Sequence, residues 1–411
     1  MSDLSPILIP RGFRFGATKA GIKASGRADF ALIVADAPAS AAAAFTNNQV
    51  TAAPLHIDKE NLSATGSKVR VVAINAGNAN CAAGQAGLDA ARATCAAAAK
   101  TFGCKPEEVF PSSTGVIGVP LPAEKLIAAL PGLAQSIGAE SDHFTEAALA
   151  ILTTDTVEKT AFARIEVAGT KGSSETPHEV RIAAFGKGSG MIHPQLVPHA
   201  TMLVYILTDA AIAPEVLSSY LNPAIEVSFN RISVDGDTST NDTVLLLASG
   251  ASGVSIGSGD ATFAAALTQV CTSLARQVVA DGEGLTHLVE VHIHGAATDA
   301  DAVRVAKSIA HSPLVKTAWA GNDPNWGRLA AAIGNSGAKI DPNRFDIRFG
   351  DLPICRNGGR DPDFDEAAAH AYLEKPQFSI FIQLHQGNGS CVFWTTDLTH
   401  EYIRINADYS T

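Results

Sequence analysis

Charge of either sign is scarce in this chain. Asp, Glu, Lys and Arg make up 17% of its 411 residues, and 41 acidic against 30 basic side chains leave a formal net charge of −11. That balance supplies no basic surface for a phosphate backbone or an anionic membrane, so neither partner is expected. Aromatic residues are also few, at 6% with 3 Trp. No apolar run is long enough to span a bilayer. The opening MSDLSPILIPRGF lacks a basic stretch followed by a sustained apolar one, so no signal peptide is expected. Six cysteines stand at 81, 95, 104, 271, 355 and 391 with no CxxC pair, which argues against a disulfide framework or a zinc site. They are expected to be free thiols in a reducing, cytoplasmic compartment, with Cys95 and Cys104 as small apolar fillers of an Ala-rich helical run.

What is plentiful is apolar material, at 46% of the chain. The length exceeds one typical core and predicts two or three packed subdomains. FALIVAD (30–36) and VRVVAIN (69–75) are β-branched runs bounded by turn residues and predict buried strands. LDAARATCAAAAKTFG (88–103) predicts a helix ended by glycine, and 122–138 and 144–154 continue the helical material. ARIEVAG (163–169) and EVRIAAFG (179–186) alternate like strands around a polar turn. Past Thr201 come strand patterns at 201–210, 242–250 and 288–296 and helical ones at 214–225, 261–282 and 299–312, the last with acidic residues in its first turn. The stretch 378–398 predicts a hairpin closed around a Gly/Asn turn. The expected class is α+β or layered α/β, with sheets covered by helices; a strand order does not follow from the pattern.

Four segments are richer in glycine and small polar residues than packing requires. PSSTGVIGVP (111–120) can offer a hydroxyl and a backbone N–H to one point, as an oxyanion site needs, although such turns are common. FGKGSGMIHP (185–194) lacks the spacing of a phosphate loop. Its glycines instead let backbone approach a ligand closely, and the chain then enters an apolar strand through Ala200-Thr201. A threonine there is ordinarily a strand residue. The functional alternative is self-cleavage, in which the Thr201 hydroxyl attacks the preceding carbonyl and the released α-amine then serves as base to that hydroxyl. Ala200, being small, leaves room for the intermediate. In 228–247, Asp235, Asp237, Ser239 and Asn241 resemble a calcium loop, but Thr240 and Leu246 stand where glycine and glutamate are required, and a polar turn network is the simpler expectation. GNDPNWGRLAAAIGNSG (321–337) predicts an N-capped helix, with Arg328 able to neutralise acidic groups near the site. No HxxxH or HExxH occurs, and His292 and His294 share one strand face, so no metal site is expected.

Together these segments resemble the ornithine acetyltransferases (glutamate N-acetyltransferases) of arginine biosynthesis. The matching stretches run in order: GFRFGATKAGIK (12–23), FTNNQVTAAP (45–54), INAGNAN (74–80), SSTGVIG (112–118), TTDT (153–156), KGSGMI (187–192), ATML (200–203), TDA (208–210), FNRISVDGDTSTNDT (229–243), DGEG (281–284), GNDPNWGR (321–328) and INADYST (405–411). The resemblance implies a precursor cut between Ala200 and Thr201 into chains 1–200 and 201–411, assembled as a heterotetramer with two copies of each. It implies Thr201 as nucleophile, Thr114 and Gly115 as the oxyanion site, and Thr153, Lys187, Thr201, Glu283, Asn406 and Thr411 as substrate-binding residues. The implied reaction is ping-pong transfer of acetyl from N-acetylornithine to glutamate, with no cofactor and with acetyl-CoA open as a co-substrate. The link HPQLVPH (193–199) is longer than the family pattern. The nearest alternative is a self-processing amidase or aminopeptidase, and a further one is an uncleaved small-molecule-binding protein. Titrating the denatured, unreduced chain with a thiol reagent is expected to return all six thiols; a shortfall means that some are paired.

Overall fold

The longest aliphatic runs become strands buried on both faces. The computed structural model, which describes residues 8–167, 178–195 and 202–408, contains two sheets. The first takes β1 (Phe13–Thr18), β2 (Phe30–Phe45), β3 (Lys68–Asn78), β4 (Val109–Val116), β5 (Lys159–Val167), β6 (His178–Lys187) and β7 (Leu203–Thr208). The short β8 (Ile232–Ser233) belongs to the second sheet, and β9 (Thr243–Ala248) returns to the first. The second is completed by β10 (Leu288–Ala296), β11 (Asp346–Phe349), β12 (Leu352–Arg356), β13 (Gly359–Arg360), β14 (Gln377–Gln383) and β15 (Gly389–Thr396). Their orders are β4-β3-β2-β9-β7-β6-β5, with β1 on β2, and β13-β12-β11-β14-β10-β15-β8.

Between the strands run α1 (Ala53–Thr65), α2 (Gly84–Phe102), α3 (Ala123–Ser136), α4 (Ser141–Ala150), α5 (Pro214–Glu226) and α6 (Ala261–Ala280). They are followed by α7 (Asp299–Ala310), α8 (Pro313–Ala320), α9 (Trp326–Gly334), α10 (Glu366–Leu373) and α11 (His400–Asp408). Strand alternation assigns each side chain to a layer. Val204, Ile206, Val244 and Leu246 pack with Leu217 of α5 and Leu267 and Leu274 of α6. Leu203, Tyr205, Leu207, Leu245 and Leu247 face the opposite layer with Phe144 and Ala148 of α4. Each fully buried aliphatic side chain contributes about 1.5–3 kcal/mol, and covering on both faces explains why β7 and β9 are unbroken apolar runs. Beyond the bend of β2, Ala91, Cys95, Leu126 and Leu130 of α2 and α3 cover Phe30, Leu32 and Val71. In the second sheet Val289, Val291 and Ile293 face Val305 of α7 and Ile333 of α9.

Local chemistry sets the helix ends. Asp260 accepts from the Phe263 N–H at 2.9 Å to start α6, and Thr298 and Ser312 cap α7 and α8 in the same way; such caps stabilise by about 1 kcal/mol each. Gly103 ends α2 in the left-handed region at φ 65°. The bend of β2 matters most for the site. Its register on β3 shifts between Val34 and Ala39, around Pro38, and the sheet curls there. The ends of β3 and β4 thereby close on the start of β9, where the Asn241 Nδ2 donates to the Ala79 carbonyl at 2.6 Å and the Ser113 carbonyl at 2.9 Å.

This is the expected layered α+β class, and the strand and helix runs named from the pattern fall on these elements. Three expectations are corrected. The stretch 378–398 is not a hairpin: β14 and β15 both pair with β10, which lies between them, parallel to β14 and antiparallel to β15. Asn325 makes no capping hydrogen bond to α9; its Nδ2 donates to Asp323 Oδ2 at 3.2 Å instead. Cys104 lies past the Gly103 cap rather than on the helix and is only partly buried. All six cysteines are free. His292 and His294 do share a face, with ring centroids 6.4 Å apart, and His292 sits 3.5 Å from Glu290 on the same strand. No helix among the described residues is long and apolar enough to cross a membrane.

Candidate active site

The curled end of the first sheet, the loop 235–242, the residues after α6 and the helix α11 enclose a cavity of about 260 Å³. Thr114, Gly115, Thr153, Lys187, Glu283 and Asn406 all line it, together with Met202 and Leu203 at the head of β7. Six of the expected site residues, drawn from five separate stretches of chain, therefore meet. Ala200, Thr201 and Thr411 lie outside the described residues.

Each of the six has a physical anchor. Gly115 ends β4 at φ 130°, and a Cβ there would stand 2.3 Å from the Gly77 carbonyl carbon and 2.5 Å from the Asn78 nitrogen, so only glycine lets the two strand ends meet. The preceding Thr114 is thereby held between Ala76 and Asn78 of β3. An asparagine network braces these ends: Ser113 Oγ donates to Asn75 Oδ1 at 2.6 Å, and Asn75 Nδ2 to the Asn78 carbonyl at 2.8 Å. Glu283 donates its N–H to the Ser189 carbonyl at 3.2 Å, and its carboxylate accepts from Asn406 Nδ2 at 2.9 Å. That carboxylate lies against Gly190, where a Cβ would stand 2.4 Å from Glu283 Cδ.

Beneath the floor lies a buried ion cluster. The Lys159 ammonium, with no solvent exposure, sits 2.8 Å from Asp155 Oδ1 and 2.6 Å from Asp281 Oδ2. Asp155 also accepts the N–H groups of Thr153 at 3.0 Å and Gly188 at 2.6 Å, and the Lys187 ammonium stands 3.8 Å away. Asp281 accepts the N–H of Thr156 at 2.9 Å as well as its hydroxyl, while the Asp281 carbonyl accepts from Ser189 Oγ at 2.6 Å. Burial pushes the Asp155 carboxyl upward, but the Lys187 and Lys159 charges and the hydrogen bonds outweigh it and hold the group below the usual carboxylate range. Lys23 lies close by, donating to the Ala28 and Ala150 carbonyls at 2.9 and 2.7 Å; burial, then repulsion from Arg27, pull it down to about 8. Thr153, Lys187 and Glu283 thus sit on three stretches clamped by one cluster.

The cavity presents a cation at Lys187 and an anion at Glu283, a pairing suited to a substrate carrying both a carboxylate and an ammonium. The sequence 14–411 matches the pattern of the ArgJ family. The chain belongs to the ArgJ family. Among curated relatives, "Arginine biosynthesis bifunctional protein ArgJ" of Geobacter sulfurreducens is 45% identical over 98% of this chain and 99% of its own length. Its namesakes from Rhizobium meliloti and Thermus thermophilus are 44% and 45% identical, over 97% and 98% of this chain and 95% and 100% of theirs. With ArgJ membership comes the activity class, an acyltransferase of arginine biosynthesis.

Other site residues went unassigned by motif reasoning. Asp155, Lys159 and Asp281 look like surface charges in sequence, and only TTDT and DGEG, as family stretches, flagged two of them. Asp235, weighed as part of a calcium loop, lines the cavity, as does Tyr402. Asn241 proves to be the clasp of the expected turn network. Arg328 is displaced from its expected role: it donates to the Leu314 carbonyl at 2.6 Å and does not line the cavity. Among the described residues no group of His, Cys, Asp and Glu is arranged to hold a metal ion. The start of the long link is buried rather than loose, with His193 against His311 at 3.1 Å and its carbonyl accepting from Thr238 Oγ1 at 2.9 Å; residues 196–199 lie outside the described residues.

Removing the central cation tests the clamp. Lys159→Met removes the cation that two buried carboxylates share, leaving Asp155 only the more distant Lys187, and is expected to cost about 3–5 kcal/mol in urea unfolding at neutral pH. The depressed Asp155 contributes stability that is present above the ordinary Asp pKa of about 3.9 and is lost on acidification below it. The wild type should therefore weaken as pH falls through that range, and the variant, already weakened, should lose less. An unchanged midpoint at neutral pH would show that the cluster bears no weight.

Proposed function

We propose that the chain transfers the acetyl group of N-acetylornithine to glutamate through an ester on Thr201, after cutting itself between Ala200 and Thr201. The observation that carries this reading is that Thr114, Gly115, Thr153, Lys187, Glu283 and Asn406 line one cavity together with Met202, the residue following Thr201. In the first half-reaction the Thr201 hydroxyl oxygen attacks the acetyl carbonyl carbon. The freed α-amine of Thr201 takes the hydroxyl proton and returns it to the departing nitrogen as the amide C–N bond breaks. Thr114 and Gly115 stabilise the oxyanion by hydrogen bonding, a contribution of about 2.7–4 kcal/mol per donor in comparable sites. Ornithine leaves as the free amine. In the second half-reaction the glutamate amine attacks the ester, and Thr201 recovers its proton.

Lys187 takes a substrate carboxylate, Glu283 with Asn406 takes an ammonium, and Thr153 and Thr411 complete the binding set. No cofactor is required, because the ester keeps the acyl group activated. The same threonine can accept acetyl from the thioester of acetyl-CoA.

The topology suits a cut before residue 201. The pair β7 and β9, from 201–411, lies between β2 and β6, from 1–200. Lys187 is opposite Leu203 on β6 and β7, and Phe45 is opposite Thr243 on β2 and β9. Two product chains would therefore share one sheet on both sides, and we propose that two copies of each assemble into a heterotetramer. The free thiols agree with a cytoplasmic home.

Denaturing electrophoresis of the wild type should give two bands that co-elute under native conditions, and Thr201→Ala a single full-length band. With N-acetylornithine, the wild type should release ornithine in step with acetylglutamate when glutamate is present. Free acetate formed at a rate indifferent to glutamate would instead indicate an amidase. Two bands from Thr201→Ala would refute the nucleophile assignment.

A further inference from the structure

Asp235 lines the cavity, yet it is not free to bind a substrate ammonium. Its Oδ2 accepts the Met191 N–H at 2.7 Å and the Tyr402 hydroxyl at 3.3 Å. Its Oδ1 accepts the Ile192 N–H at 2.8 Å and the Asp237 N–H at 3.2 Å. A carboxylate has about four lone-pair sites, so the protein already fills them. Two of those donors are consecutive amides of one turn, and Met191 within it stands at φ 56°. A residue with a Cβ seldom holds the left-handed region, which disfavours it by roughly tenfold or more. Such an outlier persists only where its surroundings enforce it. The turn is also locked from its far side, since the Val234 N–H donates to the Ile192 carbonyl at 2.6 Å and Ile192 bridges to Thr238.

The turn acts directly on the site. Gly190 is its first residue, and the Glu283 carboxylate rests against it so closely that a Cβ would meet Glu283 Cδ at 2.4 Å. We infer that Asp235 is a positioning residue: by gripping the Met191 and Ile192 amides it holds Met191 of the 190–192 turn left-handed and so sets Glu283 for the substrate. The assignment of Glu283 to a substrate ammonium rests on the function proposed above; the grip on the turn does not.

The test compares purified wild type with Asp235→Asn, an isostere that loses the charge and one acceptor. Hydrogen exchange of the Met191 and Ile192 amides, which needs no substrate, should accelerate about tenfold or more. In transfer assays KM for N-acetylornithine and for glutamate should rise about tenfold while kcat stays within about threefold. Adding Met191→Gly to Asp235→Asn, which removes the cost of the left-handed residue, should restore KM; adding Met191→Ala, which deletes the same side chain but keeps the Cβ, should not. Should Asp235→Asn alone fail to fold, the Gly double variant still decides: recovered folding with near wild-type KM supports the inference, and failure of both overturns it. Unchanged amide exchange, or a fall in kcat with KM unchanged, also overturns it. Absence of acetyl transfer in the wild type would instead refute the proposed function and leave the exchange result standing.

Discussion

The structure turns on one buried ammonium. Lys159, without solvent exposure, lies between Asp155 and Asp281, residues more than a hundred positions apart in the chain. Taking such charges out of water costs several kcal/mol per ion and is recovered only when every lone pair and proton finds a partner. Here each carboxylate oxygen is engaged: the ammonium also donates to the Val157 carbonyl at 3.2 Å, and the carboxylates gather the amides of Thr153, Thr156 and Gly188 and the Thr156 hydroxyl. The consequence is geometric. Three segments far apart in the chain, the turn after α4, the end of β6 and the turn after α6, are brought to one point, and each presents a cavity residue: Thr153, Lys187 and Glu283.

A second constraint is steric. Gly115 and Gly77 let β4 and β3 end in contact, the bend in β2 brings those ends round to β9, and Asn241 clasps them there. Thr114 and Gly115 thus come from a sheet edge and the charged groups from turns, while β7 runs from Met202 up the middle of the sheet between β6 and β9. Rigid strands and a paired buried cluster hold both halves of the site, as preorganised acyl transfer demands.

Much of this was legible in the chain, for a physical reason. Glycine in positive-φ contacts and small polar residues at strand ends leave compositional traces, so SSTGVIG, KGSGMI and the 229–243 stretch announced themselves. Apolar strands buried on both faces did the same. Long-range pairing leaves no such trace. Nothing local reveals that β10 inserts between β14 and β15, so neighbours in sequence suggested a hairpin. Lys159 at a strand start looks like any solvated lysine, since its partners come from distant turns. Asp235, in a run of acidic and hydroxyl residues, invited a calcium reading, but its acceptors are spent on backbone amides. Arg328 could be assigned to the site only because nothing in the sequence says that α9 packs elsewhere.

The central proposal is that the acyl group rests on Thr201 between two half-reactions, and mass spectrometry observes that state directly. The enzyme is mixed with N-acetylornithine in the absence of glutamate, quenched in acid, and the 201–411 fragment weighed and sequenced by fragmentation. The expected result is a fragment heavier by one acetyl group, located on the Thr201 oxygen and lost when glutamate is added before the quench. An unmodified fragment under conditions where ornithine is released, or an acetyl group found on another residue, would contradict the acyl-threonine mechanism.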